Sequence, residues 1–133
     1  MRIFLKYNRW AFLWGFLIIL LTALPGRVIP EIPVFLDLFQ PDKLLHILIF
    51  GIYVILQIRG FRQQAVFPIL RRNAVLITLL IALVLSAGTE LMQAFVIPLR
   101  VGSVFDFIAN AAGCLAGWGF ASAKNKDQRS KME

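Results

Sequence analysis

Residues 90–110 read ELMQAFVIPLRVGSVFDFIAN and place two apolar segments on either side of a short turn. The apolar runs are interrupted by six polar side chains, which are Glu90, Gln93, Arg100, Ser103, Asp106 and Asn110. A carboxylate inside an apolar membrane span costs about 2.5 to 3.5 kcal/mol even on insertion scales. Such a residue persists when it has a partner, a water-filled cavity or a task. The stretch therefore predicts a helical hairpin with a polar site beside its turn.

Helical spacing sorts these polar residues onto two stripes. Glu90 and Gln93 lie about one turn apart, while Asp106 and Asn110 begin a stripe that continues through glycines farther along the chain. Because a helix rises about 1.5 Å per residue, the turn brings Glu90 and Asp106 to similar depths. We expect the two stripes to face each other.

The composition places the chain in the membrane class. Its 133 residues are 59% hydrophobic and 16% charged, and the mean hydropathy is +0.78, which is too apolar for a soluble domain of this size. The net charge is +7, but basic residues do not alternate with aromatic ones and no nucleic-acid-binding motif is present. No nucleic-acid partner is therefore expected. Cys114 is the single cysteine, which excludes an intramolecular disulfide and predicts a packing role.

Four membrane spans are predicted, at residues 10–26, 42–58, 74–97 and 103–121, so that residues 1–133 form one all-α integral membrane four-helix bundle. The first span is interpreted as a retained anchor, because bulky aromatic residues replace the compact core of a signal peptide. Residues 28–40 contain two prolines and two acidic residues among apolar ones, which predicts a loop resting on the membrane surface. Residues 59–72 predict a hydrophilic cytoplasmic link.

The distribution of lysine and arginine predicts that both termini are cytoplasmic. Three of these residues precede the first span, four lie in the second connection and four in the C-terminal tail, against two in the first connection and one in the third. The predicted location is the bacterial cytoplasmic membrane.

This topology gathers the polar residues in the outer third of the bilayer. The predicted binding site consists of Asp42, Lys43, His46, Glu90, Gln93, Arg100, Ser103, Asp106 and Asn110. Glu90 and Asp106 need cationic partners, and we expect at least one of them to contact Lys43, His46 or Arg100. The sequence thus predicts a small mixed-charge pocket open to the outside.

A structural interpretation stands beside the functional one. Intramembrane polar groups also hold helices together, because a hydrogen bond between two membrane helices contributes about 0.6 kcal/mol of stability on average. Asn110 and Gln93 suit that role, and Lys43 and Arg100 could simply snorkel toward water. A further stripe predicts close helix packing, and its small residues are Ala109, Gly113, Gly117 and Ala121.

The candidate chemistries differ in what they require. The candidates for acid-base catalysis are His46, Glu90 and Asp106. A metal site is not expected, because it needs three or more well-spaced ligands, and one histidine with two carboxylates could supply only an oxygen-rich site. No cofactor is expected. Ser103 is the sole nucleophile candidate near the turn. Binding of an anionic or zwitterionic head group requires the fewest special features, because Lys43, Arg100 and His46 could supply the charges for it.

Five polar landmarks occur in the order found in a known family. They are Asp42-Lys43 with His46, Glu90 with Gln93, Pro98 with Arg100, Ser103 with Asp106, and Asn110 with Gly113 and Gly117. In this order the chain resembles the VanZ-like family of small bacterial membrane proteins over roughly residues 41–117. The family takes its name from a member linked to resistance to the glycopeptide teicoplanin, and its general biochemical activity is not established.

The resemblance implies an integral protein of the cell envelope and leaves the mechanism open. The leading prediction is a protein that binds a lipid or cell-wall precursor head group and modulates antibiotic resistance or envelope properties. Two alternatives are an enzyme, such as a hydrolase or transferase, acting on a lipid-linked head group, and a packing subunit of a larger complex. The ligand and the oligomeric state stay open.

Overall fold

The computed structural model describes residues 1–24, 41–97 and 103–130, which form helices without any strand. The helices are α1 (Arg2–Ala23), α2 (Pro41–Gln63), α3 (Pro68–Arg72), α4 (Ala74–Phe95) and α5 (Val104–Ser130). The predicted all-α class is confirmed. The expected surface loop at 28–40 and the turn at 98–102 lie outside the described residues.

Four of these helices are long and apolar enough to cross a membrane. The candidate spans are Arg2–Ala23, Lys43–Gln63, Ala74–Phe95 and Val104–Asn125. Helix α1 begins earlier than the predicted span, α2 extends beyond its span at both ends, and α5 ends later than predicted. Backbone hydrogen bonding continues into polar flanking sequence, whereas hydropathy marks only the part that suits hydrocarbon. The predicted spans 10–26 and 74–97 run past the ends of α1 at Ala23 and of α4 at Phe95.

The second connection is more ordered than its composition indicates. Helix α2 continues to Gln63, and α3 begins at Pro68, a residue that suits the first turn of a helix. Between them, the buried Gln64 side chain accepts a 2.8 Å hydrogen bond from the Phe67 N–H and donates one of 2.8 Å to the Phe67 carbonyl. A side-chain amide therefore closes the turn.

Burial in the bundle is inverted relative to a soluble protein. Asn110 and Ser86 are 0% exposed, whereas Phe95 is 83% exposed and Val84 73%. Water would penalise such a surface, but hydrocarbon accepts it and leaves the polar groups to find partners inside. The burial pattern therefore agrees with helices that cross a bilayer.

Helix α2 lies at the centre of the bundle. It packs against α1, α4 and α5, and its most extensive contact is with α5. The approach of α2 and α5 is backbone on backbone, because Cβ atoms added to Gly113 and Gly117 would meet the carbonyls of Ile47 and Gly51. The predicted packing role of the glycine stripe agrees with this contact. Matching positions at 47/113 and 51/117 show that the two helices run parallel.

Helix α1 also packs against α2. The indole Nε1 of Trp14 donates a 2.9 Å hydrogen bond to the carbonyl of Ile49. The Tyr53 ring lies close to Gly15 and belongs to the buried cluster that also holds Cys114. Cys114 is 1% exposed, in agreement with its predicted packing role. Because α2 and α5 pack in parallel, their first turns lie side by side at one end of the bundle.

Candidate polar site at the first turns of α2 and α5

Asn110 is the centre of a hydrogen-bonded cluster that joins three helices. Its Oδ1 lies 2.9 Å from Nδ1 of His46 on α2. Its Nδ2 donates to Ser86 Oγ at 2.9 Å and to Glu90 Oε1 at 3.4 Å, both on α4. Asn110 is 0% exposed, so these partners replace water for the whole amide.

The amide fixes the proton arrangement of His46. An amide oxygen can only accept, so Nδ1 of His46 carries the proton in this contact. In the neutral ring Nε2 is then the basic nitrogen. His46 is partly buried and lies in the first turn of the candidate span Lys43–Gln63.

Glu90 is held by both of its oxygens. Oε2 accepts a 3.0 Å hydrogen bond from the backbone N–H of Ser103, and Oε1 faces Asn110. Ser103 immediately precedes α5, and its carbonyl accepts from the N–H groups of Asp106 and Phe107 at 3.1 Å each. The carboxylate therefore lies at a helix N-terminus, where the backbone dipoles favour negative charge.

The cationic partner expected for Glu90 or Asp106 stays a prediction. Arg100 and the Asp42 side chain lie outside the described part of the chain. The Lys43 ammonium stands 5.3 Å from the centre of the Phe105 ring, and both residues are near the first turns of their helices. Asp106 is partly buried in the first turn of α5. Lys43 and Asp106 thus lie at the same end of the bundle as the Asn110 cluster.

Gln93 points to a different neighbour. Its Nε2 lies 3.5 Å from the carbonyl of Thr22 near the end of α1, a contact at the outer limit of hydrogen bonding. Gln93 is buried, so its described contact suits the structural role of holding α1 against α4. It belongs to the same end of the bundle without a described contact to Asn110.

Ser86 and Thr89 were not expected in the cluster. Ser86 lies four residues before Glu90, one helical turn away on the same face of α4. Its hydroxyl accepts from Asn110, while its carbonyl accepts from the Thr89 hydroxyl at 2.8 Å. The four-residue step to Glu90 was the available signal, but a serine in an apolar helix carries little weight by itself.

The donor set does not suggest a metal centre. Among residues 1–24, 41–97 and 103–130, no group of three or more His, Cys, Asp or Glu side chains is arranged to hold a metal ion. The described groups instead form a connected chain of donors and acceptors that runs from His46 through Asn110 to Glu90. Such a chain orients an imidazole and a carboxylate in fixed positions.

Spans, inverted burial and a polar cluster between helices together define a multi-pass α-helical membrane protein. A family model described as VanZ/LLP1 matches residues 3–125. The chain therefore belongs to the VanZ/LLP1 family. No curated protein and no solved structure matches the chain.

Proposed function

We propose that this VanZ-like protein binds the head group of a lipid or cell-wall precursor at the end of the bundle that holds His46, Glu90 and Asn110. Through that binding it modulates envelope properties, including glycopeptide resistance. The observation that carries the proposal is the hydrogen-bonded chain from His46 through Asn110 to Glu90 within an apolar bundle. A network of this kind is costly to build in a membrane and is typical of functional positions.

Mixed charge at this end suits an anionic or zwitterionic head group. Lys43 and Arg100 supply cations for a phosphate, and Glu90 and Asp106 supply carboxylates. The Lys43 side chain is partly buried and its ammonium lies over the Phe105 ring, a contact that favours one position of the charge. This positioned cation would attract the anionic part of a bound head group.

The orientation of the bundle supports access from outside. Lysine and arginine are concentrated at the opposite end, in the N-terminal segment, the second connection and the C-terminal tail. By the positive-inside rule this distribution favours the extracytoplasmic face for the end that holds the Asn110 cluster. Envelope precursors displayed at that face would then reach it directly.

Catalysis is the second candidate, and one contact favours it. Asn110 holds Nδ1 of His46 as a donor and so presents the imidazole in one tautomer, as an orienting residue does for a catalytic base. In this alternative His46 or Glu90 removes a proton during hydrolysis or transfer at a lipid-linked head group.

A binding titration with a product assay separates the two candidates. The full chain is placed in phosphatidylcholine nanodiscs and titrated with a short-chain lipid-linked cell-wall precursor, while chromatography follows the precursor. We expect saturable binding without turnover by the wild type. Glu90→Gln should weaken binding at least about tenfold, because hydrogen bonds to a charged group contribute about 1.5 to 3 kcal/mol.

Glu31→Gln is the control, since Glu31 belongs to the segment predicted to rest on the membrane surface, outside the described residues. It should bind as the wild type does. Turnover that is lost in His46→Gln would replace the binding proposal with the enzymatic one. Absence of saturable binding, or equal binding by wild type and Glu90→Gln, would leave the packing interpretation.

A further inference from the structure

A second site lies at the opposite end of the bundle, between the last turns of α2 and the corresponding part of α5. A cavity of about 310 Å³ opens there, within the usual size of small-ligand sites. Its cationic lining consists of Arg59 and Arg62 from α2 and Lys124 from α5, and its apolar lining includes Ile58 and Phe120. None of the residues of the Asn110 cluster lines it.

The lining is ordered along the helix axes. On α2 the apolar Ile55 and Ile58 precede Arg59 and Arg62, and on α5 Phe120 precedes Lys124. Because α2 and α5 run parallel, both helices place apolar side chains toward the middle of the bundle and cations toward its end. An amphipathic ligand with its charge at the membrane boundary matches this order.

The charge of the cavity is uncompensated within its own lining. The described residues that line it include three cations and no aspartate or glutamate. The C-terminus of α2 nearby disfavours an anion, but a helix dipole amounts to about half an elementary charge and three full positive charges outweigh it. The cavity therefore favours an anion.

We propose that this cavity binds an anionic phospholipid of the surrounding bilayer. The phosphate lies among Arg59, Arg62 and Lys124, and the glycerol and the first part of the acyl chains lie against Ile58 and Phe120. Basic pockets between membrane helices are suited to this task, since arginine presents a planar pair of donors to phosphate oxygens. The site is independent of the head-group site at the other end.

Native mass spectrometry of the full chain tests the proposal directly. The protein is released from mixed micelles of phosphatidylglycerol and phosphatidylcholine with identical acyl chains, and retained lipids are counted. The wild type should retain phosphatidylglycerol in preference. In the double variant Arg59→Gln, Lys124→Gln the ratio of retained phosphatidylglycerol to retained phosphatidylcholine should fall by about fivefold for each cation removed.

The matched control is Arg71→Gln, Arg72→Gln, because it removes two cations from exposed positions of α3 that do not line the cavity. It should keep the wild-type preference. The charge-conserving Arg59→Lys should lose less preference than Arg59→Gln, because lysine keeps the charge but not the planar pair of donors. Equal losses in the two double variants would overturn the proposal, since they would reflect net charge alone. An equal loss in Arg59→Lys and Arg59→Gln would also overturn it.

A soluble anion separates a lipid site from a free-phosphate site. Glycerol 3-phosphate should not displace phosphatidylglycerol, because it lacks the acyl chains that contact Phe120 and Ile58. Displacement at concentrations comparable to the lipid would show a phosphate site without lipid specificity and would overturn the proposal.

Discussion

At the scale of single residues, Asn110 decides how the polar cluster is satisfied. It accepts from His46 and donates to Ser86 and Glu90, so one side chain completes the bonding of groups from two other helices. Removing it leaves several buried polar atoms without this partner, and an unmade bond costs more than a formed one contributes. Asn110 therefore stabilises the polar cluster that forms the proposed head-group site.

Asn110→Ala should lower the free energy of unfolding by about 1 to 3 kcal/mol, which is the usual cost of leaving buried polar groups unsatisfied. Detergent-denaturant unfolding of the purified chain measures this difference. Asn125→Ala, at an exposed position on the same helix, should change little. Equal stability of Asn110→Ala and wild type would show that the described bonds contribute nothing net.

Arg100 is one of the cations expected to contact Glu90 or Asp106, and a direct pair of Glu90 with Arg100 predicts strong coupling between these two residues. Arg100→Ala and Glu90→Ala should each impair head-group binding, and the double variant should add little to either. Binding constants for the four proteins complete the cycle. Additive losses would exclude an ion pair and leave the Ser103 N–H and Asn110 as the partners of Glu90.

The sequence indicated which residues were unusual but not how they are partnered. Glu90 and Asn110 stand out because polar groups are costly in an apolar helix, and the structure brings both into one cluster with His46. The hydrogen bond from the Ser103 backbone to Glu90 was not predicted, because a backbone donor leaves no trace in residue type. The role of Ser86 in the cluster was not predicted either, because serine is common in membrane helices as a packing residue.

At the scale of helices, the contact between α2 and α5 sets the register of the site. A Cβ atom on Gly117 would lie 2.5 Å from the Gly51 carbonyl oxygen, so the backbones could not keep their separation. The same contact aligns His46 with Asn110 one to two turns away. Helix packing and the polar cluster are therefore coupled.

Gly117→Ala should destabilise the bundle by about 1 to 3 kcal/mol, the typical cost of overpacking. Gly119→Ala is the matched control on the same helix, because an added Cβ there meets nothing within 4 Å. Its effect should stay within about 0.5 kcal/mol. Denaturant unfolding of both variants measures the difference, and equal effects would contradict the described approach of α2 and α5.

Hydropathy and residue spacing predicted the four long helices and the glycine stripe, but not the central position of α2. The uncharged run of the second span, residues 44–58, was the shortest of the four. The hydropathy pattern of one helix cannot show which helix the others will surround. Burial of Gln57 and Val54 arises from contacts distant in sequence. The start of α1 and the C-terminal ends of α2 and α5 were underestimated, because a helix does not stop where hydrocarbon stops. The ends of α1 and α4 were overestimated, because apolar residues continue past the last helical turn.

At the scale of the whole molecule, the two ends of the bundle differ in charge. One end carries the Asn110 cluster with its carboxylates, while the other carries Arg59, Arg62 and the basic segments around them. Composition alone was sufficient to predict a membrane protein, because a chain that is 59% hydrophobic and only 16% charged is too apolar for a soluble domain of this size. The direction of insertion follows from charge and stays a prediction.

A fusion placed after Glu133 tests that direction. A reporter that is active only in the cytoplasm should be active there, and one that requires export should be inactive, because the tail carries four lysine and arginine residues. A second fusion after Phe67, in the basic second connection, should give the same result. Opposite activities at both points would reverse the bundle and place the Asn110 cluster on the cytoplasmic side.

Labelling of a single introduced cysteine tests the central claim most directly. Cys114→Ala gives a cysteine-free background, and Ser103→Cys then adds a thiol at the site while keeping the backbone N–H that binds Glu90. A membrane-impermeant maleimide applied to intact cells should label this thiol, and a short-chain lipid-linked precursor should slow the labelling. Asn125→Cys, at the other end, should be labelled only from the cytoplasmic side and at a rate that the precursor does not change. Labelling of Ser103→Cys only from the cytoplasmic side, or at the same rate with and without the precursor, would contradict an outward-facing head-group site.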